Sequence, residues 1–272
     1  MGAVDSVIDA DGNFYITDNY NHRIVKYDET GTLVRAYGSF GSGAGEFNRP
    51  QNIAIGADGA IYVADSFNNR IVKFADTNDD GVIDVWEAWG SAGSGVLEFN
   101  KPYSVAVAGS IIYVADSFNS RIAKFDSAVD PSEVGETWVA FGTRGTEDGQ
   151  FRNIYDITVD AQGDVWATDP LNNRVARFTA DGTFVANYAA NLPYGVASDA
   201  NGNVYVAERL TGVIKCVNNT SSLAWPAESY AGKGTLDNQF SNPVGLNIDQ
   251  HGRLWVVDVT TSKVQRGYTS VL

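Results

Sequence analysis

The segment Asp76-Thr77-Asn78-Asp79-Asp80-Gly81-Val82-Ile83-Asp84-Val85-Trp86-Glu87 places side-chain oxygens at its first, third and fifth positions and a glycine at its sixth. That spacing lets Asp76, Asn78 and Asp80 turn toward one centre. Gly81 takes the sharp bend, Val82 offers its carbonyl, and Ile83 ties the loop down. Oxygen-only donors select a hard cation, so the loop predicts a structural Ca2+. Asp84 is expected to ligate directly and Glu87 to sit further along its strand. Binding would order a loop whose carboxylates otherwise repel one another.

The elements that carry this loop are set by repetition. Ile61-Tyr62-Val63-Ala64-Asp65-Ser66-Phe67-Asn68-Asn69-Arg70-Ile71-Val72-Lys73-Phe74 is nearly duplicated from Ile112 to Phe125, and fainter copies surround Asp18, Asp169, Glu208 and Asp258. Successive acidic positions are 47, 51, 53, 39 and 50 residues apart, a period that suits one supersecondary unit repeated along the chain. Within the second copy, short runs at Asn52–Ile55, Ala60–Ala64, Arg70–Phe74 and Val85–Trp89 alternate with turns rich in Gly, Asp and Asn. Four short strands per copy with no helical periodicity describe a propeller blade. The expected fold is all-β, a six-bladed β-propeller of four-stranded antiparallel blades, forming one domain over 1–272. Blades are expected near 1–40, 41–92, 93–143, 144–189, 190–233 and 234–272. The last is expected to be incomplete or cut from a longer polypeptide.

The copies resemble the NHL repeat family. The resemblance rests on Pro50, Pro102, Pro193 and Pro243 at the starts, and on the sets Asp18/Asn21/Arg23, Asp65/Asn68/Arg70, Asp116/Asn119/Arg121 and Asp169/Asn172/Arg174. Tyr37-Gly38, Trp89-Gly90 and Phe141-Gly142 form the endings, followed by Glu46-Phe47, Glu98-Phe99 and Gln150-Phe151. The resemblance implies the propeller, and a function among scaffolds, sensor ectodomains, RNA binders and lyases. A charge pair that recurs in every copy reads as a fastener of the turn between second and third strands, so differences between copies carry more functional information.

Aligned by the Pro position, Asp5, Asn52, Ser104, Asp156, Gly195 and Gly245 share one place at the start of the innermost strand. Their oxygens are expected around the channel mouth. They resemble the axial calcium site of gluconolactonase-like and phosphotriesterase-like propellers, and so imply a possible second Ca2+. Tyr103, Tyr155 and Tyr194 precede three of these positions and predict an aromatic arc, while the fifth copy substitutes Glu208-Arg209 on the same face. Ligand-binding candidates are therefore Tyr103, Tyr155, Tyr194, Asn52 and Arg209. Catalytic candidates are Asp156 or Glu208 as base and Arg209 steadying negative charge. Tyr20, Phe67, Phe118 and Leu171, in the turns between second and third strands, offer a contact surface for sugar or peptide but are expected to pack between adjacent blades.

Composition narrows the classes. A net charge of −14 opposes binding to a phosphate backbone, so no nucleic acid is expected, and neutral or cationic partners are favoured. A single cysteine, Cys216, forbids an internal disulfide and is expected to be a strand residue. His22 and His251 fall in turns on opposite faces, which disfavours the histidine-held zinc of the peptide-amidating lyases that the repeat also resembles. No apolar run is long enough to span a bilayer, so no membrane insertion is expected, and the start at Met1 shows no signal peptide. Asn218-Asn219-Thr220 matches a glycosylation pattern.

Together these readings predict a calcium-stabilised, extracellular or surface-exposed propeller. It would recognise a peptide, glycan or small-molecule ligand at the channel mouth and belong to a longer chain with other domains. The alternative is a metal-dependent hydrolase or lyase working at the same mouth.

Overall fold

The computed structural model describes residues 2–129, 133–217, 229–230, 232–234, 239–261 and 263–267. Asn218-Asn219-Thr220 and the stretch after Gly267 lie outside them. The chain is all-β and six-bladed. Five antiparallel sheets have four strands each, and the sixth, Pro243–Ile248, Leu254–Asp258 and Lys263–Gly267, has three among the described residues.

Each sheet runs outward in chain order. The innermost strands are Ala3–Ile8, Pro50–Ile55, Pro102–Ala108, Ile157–Val159, Pro193–Ser198 and Pro243–Ile248. The second strands are covered on both faces, which is why they read as unbroken apolar runs: every residue of Ile61–Asp65 and of Val204–Glu208 is buried. The outermost strands, such as Leu33–Tyr37, are largely exposed, with Leu33 and Val34 open to solvent. A single backbone carries the chain from one blade to the next through two-residue parallel clips, for example Ser91-Ala92 against Glu98-Phe99.

The clips explain the aromatic-Gly ending and the Phe that follows it. Phe47, Phe99 and Phe151 are fully buried. A Cβ on Gly38, Gly90 or Gly142 would stand 2.4–2.6 Å from their rings. Each glycine also has positive φ, between 90° and 121°, so glycine is required on two counts. Phe47 then packs against Phe74 and Trp86 at ring separations of 6.0 and 5.6 Å, joining two blades in one core.

Among the described residues the first and sixth blades meet by packing, and no strand is shared between their sheets. The first sheet holds four strands of its own. Its inner strand lies so near the sixth blade that a Cβ on Gly245 would meet Asp5 Oδ1 at 2.5 Å and the Val4 carbonyl at 2.9 Å. Phe14 stands edge-on to Trp255 at 4.7 Å, and Gln250 Nε2 donates to the Ala10 carbonyl at 2.6 Å.

Candidate functional site

The repeated acid fastens each blade to the loop arriving from the previous one. Asp65 is completely buried and accepts from the Asn48 amide at 2.6 Å, Asn68 Nδ2 at 2.8 Å and Arg70 Nε at 2.7 Å. Arg70 in turn donates to the carbonyls of Ser42, Gly43 and Glu46. Asp116 and Arg121 repeat every one of these bonds. Burial pushes the Asp65 and Asp116 carboxyls up despite the bonds that favour their charge. Glu208 occupies the same place in the fifth blade. It is buried, and its carboxylate accepts from the Asn191 amide and side chain and from Thr211 Oγ1, so it is engaged in fastening instead of facing the mouth.

The aligned positions at the innermost strands do converge. Asn52 Nδ2 donates to Asp5 Oδ2 at 2.7 Å and to Asp156 Oδ1 at 3.1 Å, and Ser104 Oγ donates to Asp156 Oδ1 at 2.7 Å. Asp5, Ser104 and Asp156 are buried. Each of the four side chains also accepts a backbone N–H from the next blade: Ile53 to Asp5, Val105 to Asn52, Ile157 to Ser104 and Val196 to Asp156. Register shifts in the inner strands directly precede Ile53, Val105 and Val196, Ile157 opens its own inner strand, and the hub side chains take up all four amides. In the fifth blade no side chain fits, because a Cβ on Gly195 would stand 2.8 Å from the Val244 carbonyl.

This belt holds two carboxylates out of water. Burial, then the charge of Asp156, raises the Asp5 carboxyl well above its ordinary range. Burial pushes Asp156 up to about 7 against the hydrogen bonds from Ser104, Val196 and Ile157. Asp5 Oδ1 has no hydrogen-bond partner among the described residues. It borders a gap of about 10 Å³ beneath Tyr103 and Tyr155, room for about one water. The donor set of two carboxylates, an amide and a hydroxyl suits a hard cation by type. Its orientation suits one less well, since the Val105 N–H claims Asn52 Oδ1 and turns the amino group toward the carboxylates.

Above the belt lies the mouth, a cavity of about 360 Å³ bordered by Gln51, Tyr155, Tyr194, Arg209 and Val244. Tyr155 stands 5.8 Å from Tyr103 and 4.2 Å from Tyr194, so the three rings form a continuous arc. Burial raises Tyr155 far above its ordinary value and raises Tyr103 as well, keeping both hydroxyls protonated. Arg209 lies over the Tyr194 ring at 4.6 Å, donates to the Tyr194 hydroxyl at 2.7 Å and is held by Asn242 Oδ1. On the other side of the belt the channel continues as a cavity of about 160 Å³ lined by Val7, Ile55, Val107, Val159, Ser198 and Ile248.

The acidic hairpin loop opens on the face opposite the mouth. Gly81 and Asp79 adopt positive φ, 96° and 56°, giving the sharp bend. The Asp80 amide donates to both Asp76 Oδ1 and Asn78 Oδ1, which brings these oxygens together beside the Asp80 side chain. The second half is arranged differently: Asp84 accepts from the Thr77 amide and hydroxyl, and Glu87 lies 3.8 Å from Lys73. Val82 donates its amide to Asp80. Arg35 and Tyr37 of the first blade reach Asp76 Oδ2 at 3.1 and 3.0 Å, contacts that no local spacing encodes. Burial pushes the Asp76 carboxyl up, but the hydrogen bonds from Tyr37, Gly81, Arg35 and Asp80 together outweigh it and hold the group below its usual range. The loop therefore fits a hard cation in its first half, where Arg35 competes for the charge of Asp76.

The other candidates resolve simply. His22 Nδ1 accepts from the Arg49 amide, while His251 sits in the turn from Asp249 to Arg253 on the opposite face. Cys216 is buried in the strand Val213–Val217. Tyr20, Phe67, Phe118 and Leu171 do not pack between blades: they are exposed at the tips of their turns. Among the described residues no helix is long and apolar enough to cross a membrane, and no group of three or more His, Cys, Asp or Glu side chains is placed to hold a metal.

Residues 1–79 match a family described as a 6-bladed beta-propeller, and residues 105–194 match the SMP-30/Gluconolactonase/LRE-like region. Among solved structures, the chain is similar to virginiamycin B lyase from Staphylococcus aureus, at 17% identity and a TM-score of 0.67, with 98% of this chain and 80% of that one covered. It is also similar to the hydrazine synthase of Kuenenia stuttgartiensis, at 15% identity and a TM-score of 0.66, covering 100% of this chain and 96% of that one. A Bacteroides thetaiotaomicron protein of unknown function gives 13% identity and a TM-score of 0.67, with coverages of 97% and 68%. At these identities the likeness is one of fold.

Proposed function

We propose that the protein is a ligand-binding propeller whose recognition site is the tyrosine-lined mouth. The observation that carries this reading is the cavity of about 360 Å³ with two of three adjoining tyrosines and Arg209 in its wall. Its size lies within the range of small-molecule sites. The rings offer flat apolar surface and hydroxyl donors, and Arg209 offers a positioned cation. The ligand is a small molecule, or the end of a peptide or glycan, with an aromatic or sugar body and an acceptor group for Arg209. This local cation refines the preference set by the overall charge of −14. Beneath the ligand, the belt of Asp5, Asn52, Ser104 and Asp156 serves as a floor.

The acidic hairpin is read as a structural calcium site held by Asp76, Asn78 and Asp80. Asp84, Glu87 and the Val82 carbonyl would join only if the second half rearranged. Calcium at extracellular concentrations fills even a weak site, so this reading goes with an extracellular or surface-exposed location. The second reading is a hydrolase or lyase using an axial cation, with Asp156 as base and Arg209 steadying negative charge. It draws on the SMP-30/gluconolactonase-like match and on the unpartnered Asp5 Oδ1. The orientation of Asn52 counts against it.

Thermal-shift screening with aromatic carboxylates, neutral oligosaccharides and short peptides tests the leading reading. Compounds that stabilise the protein are then titrated against Tyr194→Ala and Arg209→Ala. The expected result is a loss of affinity of about tenfold or more for each, from a ring contact and a charged hydrogen bond, with little change in melting temperature. Equal affinity for both variants would place the site elsewhere. Calorimetric titration with Ca2+ separates the two readings: a single site lost in Asp80→Ala supports the module, and a second site lost in Asp5→Asn supports the axial cation.

A further inference from the structure

The turns between second and third strands carry an exposed apolar residue at one equivalent place in five consecutive blades. Tyr20 is 70% exposed, Phe67 39%, Phe118 51%, Leu171 53% and Leu210 61%. Each stands two residues after the buried fastening acid, whose bonds fix the turn. Equivalent places in successive blades lie at one height around the axis, so the five tips share a plane encircling the mouth.

Cations stand between the tips. Arg49 lies 5.8 Å from the centroid of Tyr20 and 5.0 Å from that of Phe67, and Lys101 lies 4.9 Å from Phe67 and 4.8 Å from Phe118. Arg152, exposed, donates to the Leu171 carbonyl at 3.5 Å. Neither Arg49 nor Lys101 pairs with a carboxylate among the described residues. Nearby acids are spoken for: Glu46 and Glu98 fold back onto the amides of their own loops. Glu147 and Asp148 lie on the outer rim loop that Arg174 ties down. The opposite face carries the acidic turns, where Asp9, Asp160, Asp199 and Asp249 each cap backbone amides. A chain of net charge −14 has thus gathered unpaired positive charge and apolar tips on one flat face.

We propose that this face docks on an anionic lipid surface, lying on the bilayer without spanning it. Coplanar apolar tips match a flat interface, into which aromatic and leucine side chains enter at the headgroup level. The interleaved cations match anionic headgroups, and the acidic far face orients the molecule away from them. A soluble acidic chain would pair with the cations but leave the five tips unused.

Co-sedimentation of the full chain with phosphatidylcholine vesicles, with and without phosphatidylglycerol, tests the proposal. Association with the anionic vesicles only, weakening as salt rises, is expected. The double variant Arg49→Glu and Lys101→Glu should lower partitioning by more than about 25-fold, at about fivefold for each cation removed and more for its reversal. Tyr20→Ser with Leu171→Ser should lower it at constant charge, and Glu29→Lys on the far face should leave it intact. Circular dichroism checks the fold of each variant, and Arg49→Gln with Lys101→Gln replaces the charge reversal if that variant is unfolded. The proposal is overturned if wild type ignores anionic vesicles, or binds neutral ones equally. It is also overturned if the serine variant binds like wild type while heparin displaces both, which would assign the face to a soluble polyanion.

Discussion

Asp5→Asn should stabilise the protein, against the usual result of changing a buried polar residue. Asp5 Oδ2 accepts from Asn52 Nδ2 and the Ile53 amide, whereas Oδ1 has no hydrogen-bond partner among the described residues. Asparagine keeps an acceptor where bonds are made and puts its amino group where none is. The carboxylate it removes is disfavoured first by burial and then by Asp156. A carboxyl that titrates near 7 instead of 3.8, as Asp156 does, has its ionisation disfavoured by about 4 kcal/mol. Taking one charge from the pair should therefore add about 1–4 kcal/mol at about pH 8. In the wild type, the native state keeps protons that the unfolded chain releases above 3.8. The contribution of Asp156 to stability is therefore full below that value and is lost as pH rises through about 7, and Asp5, raised in the same direction, loses its own with the same sign. The gain from Asp5→Asn should shrink toward zero at about pH 3, below the ordinary value of 3.8, where both states are protonated. Urea unfolding in chelator at the two pH values measures both quantities. A variant less stable than wild type at the higher pH, or a gain of equal size at both, would refute the argument that the belt stores unfavourable charge. If added calcium stabilises wild type but not Asp5→Asn beyond the hairpin's share, the belt is a cation site.

Other perturbations probe the remaining elements. Arg70→Ala leaves Asp65 buried beside three unclaimed carbonyls and should cost about 3–5 kcal/mol in denaturant unfolding; a cost under about 1 kcal/mol would make the fastener decorative. Gly90→Ala drives a methyl to 2.6 Å from the Phe99 ring at a φ of 121°, and its melting temperature should fall by several degrees, about 2–4 kcal/mol; an unchanged melt would mean that the clip gives way freely. Calcium should raise the melting temperature of wild type but not of Asp80→Ala, and Arg35→Gln should tighten calcium binding by releasing Asp76. Equal shifts in wild type and Asp80→Ala would remove the hairpin from consideration.

What could be read in advance depended on whether a contact was encoded by spacing. The blades could be, because Asp, Asn and Arg recur at fixed offsets and their bonds are local to one turn and the loop before it. The convergence of Asp5, Asn52, Ser104 and Asp156 could be too, since equivalent positions in a closed ring must face one axis. Their task could not: the N–H groups they cap belong to the following blade, three of them just past a register shift, and a bulge leaves no composition signal. The capture of Asp76 by Arg35 was hidden for a similar reason, as 41 residues separate the partners.

At the exposed tips, residue type weighted the sequence reading toward packing over a contact surface. Phe67 and Phe118 follow buried segments of the motif, so burial was the economical reading. Yet the 3-10 turns Ser66–Asn68 and Ser117–Asn119 bury only their serines and project the following residue outward. Once the turn geometry is known, the +2 position must be exposed in every copy. Filling it with Tyr, Phe, Phe, Leu and Leu, where asparagine or serine would meet the turn's needs, leaves apolar surface open to solvent beyond what the contacts with Arg49, Lys101 and Tyr103 cover. That mismatch between local requirement and residue type is what separates this face from the acidic one, where Asp9, Asp160, Asp199 and Asp249 each cap the turn they stand in.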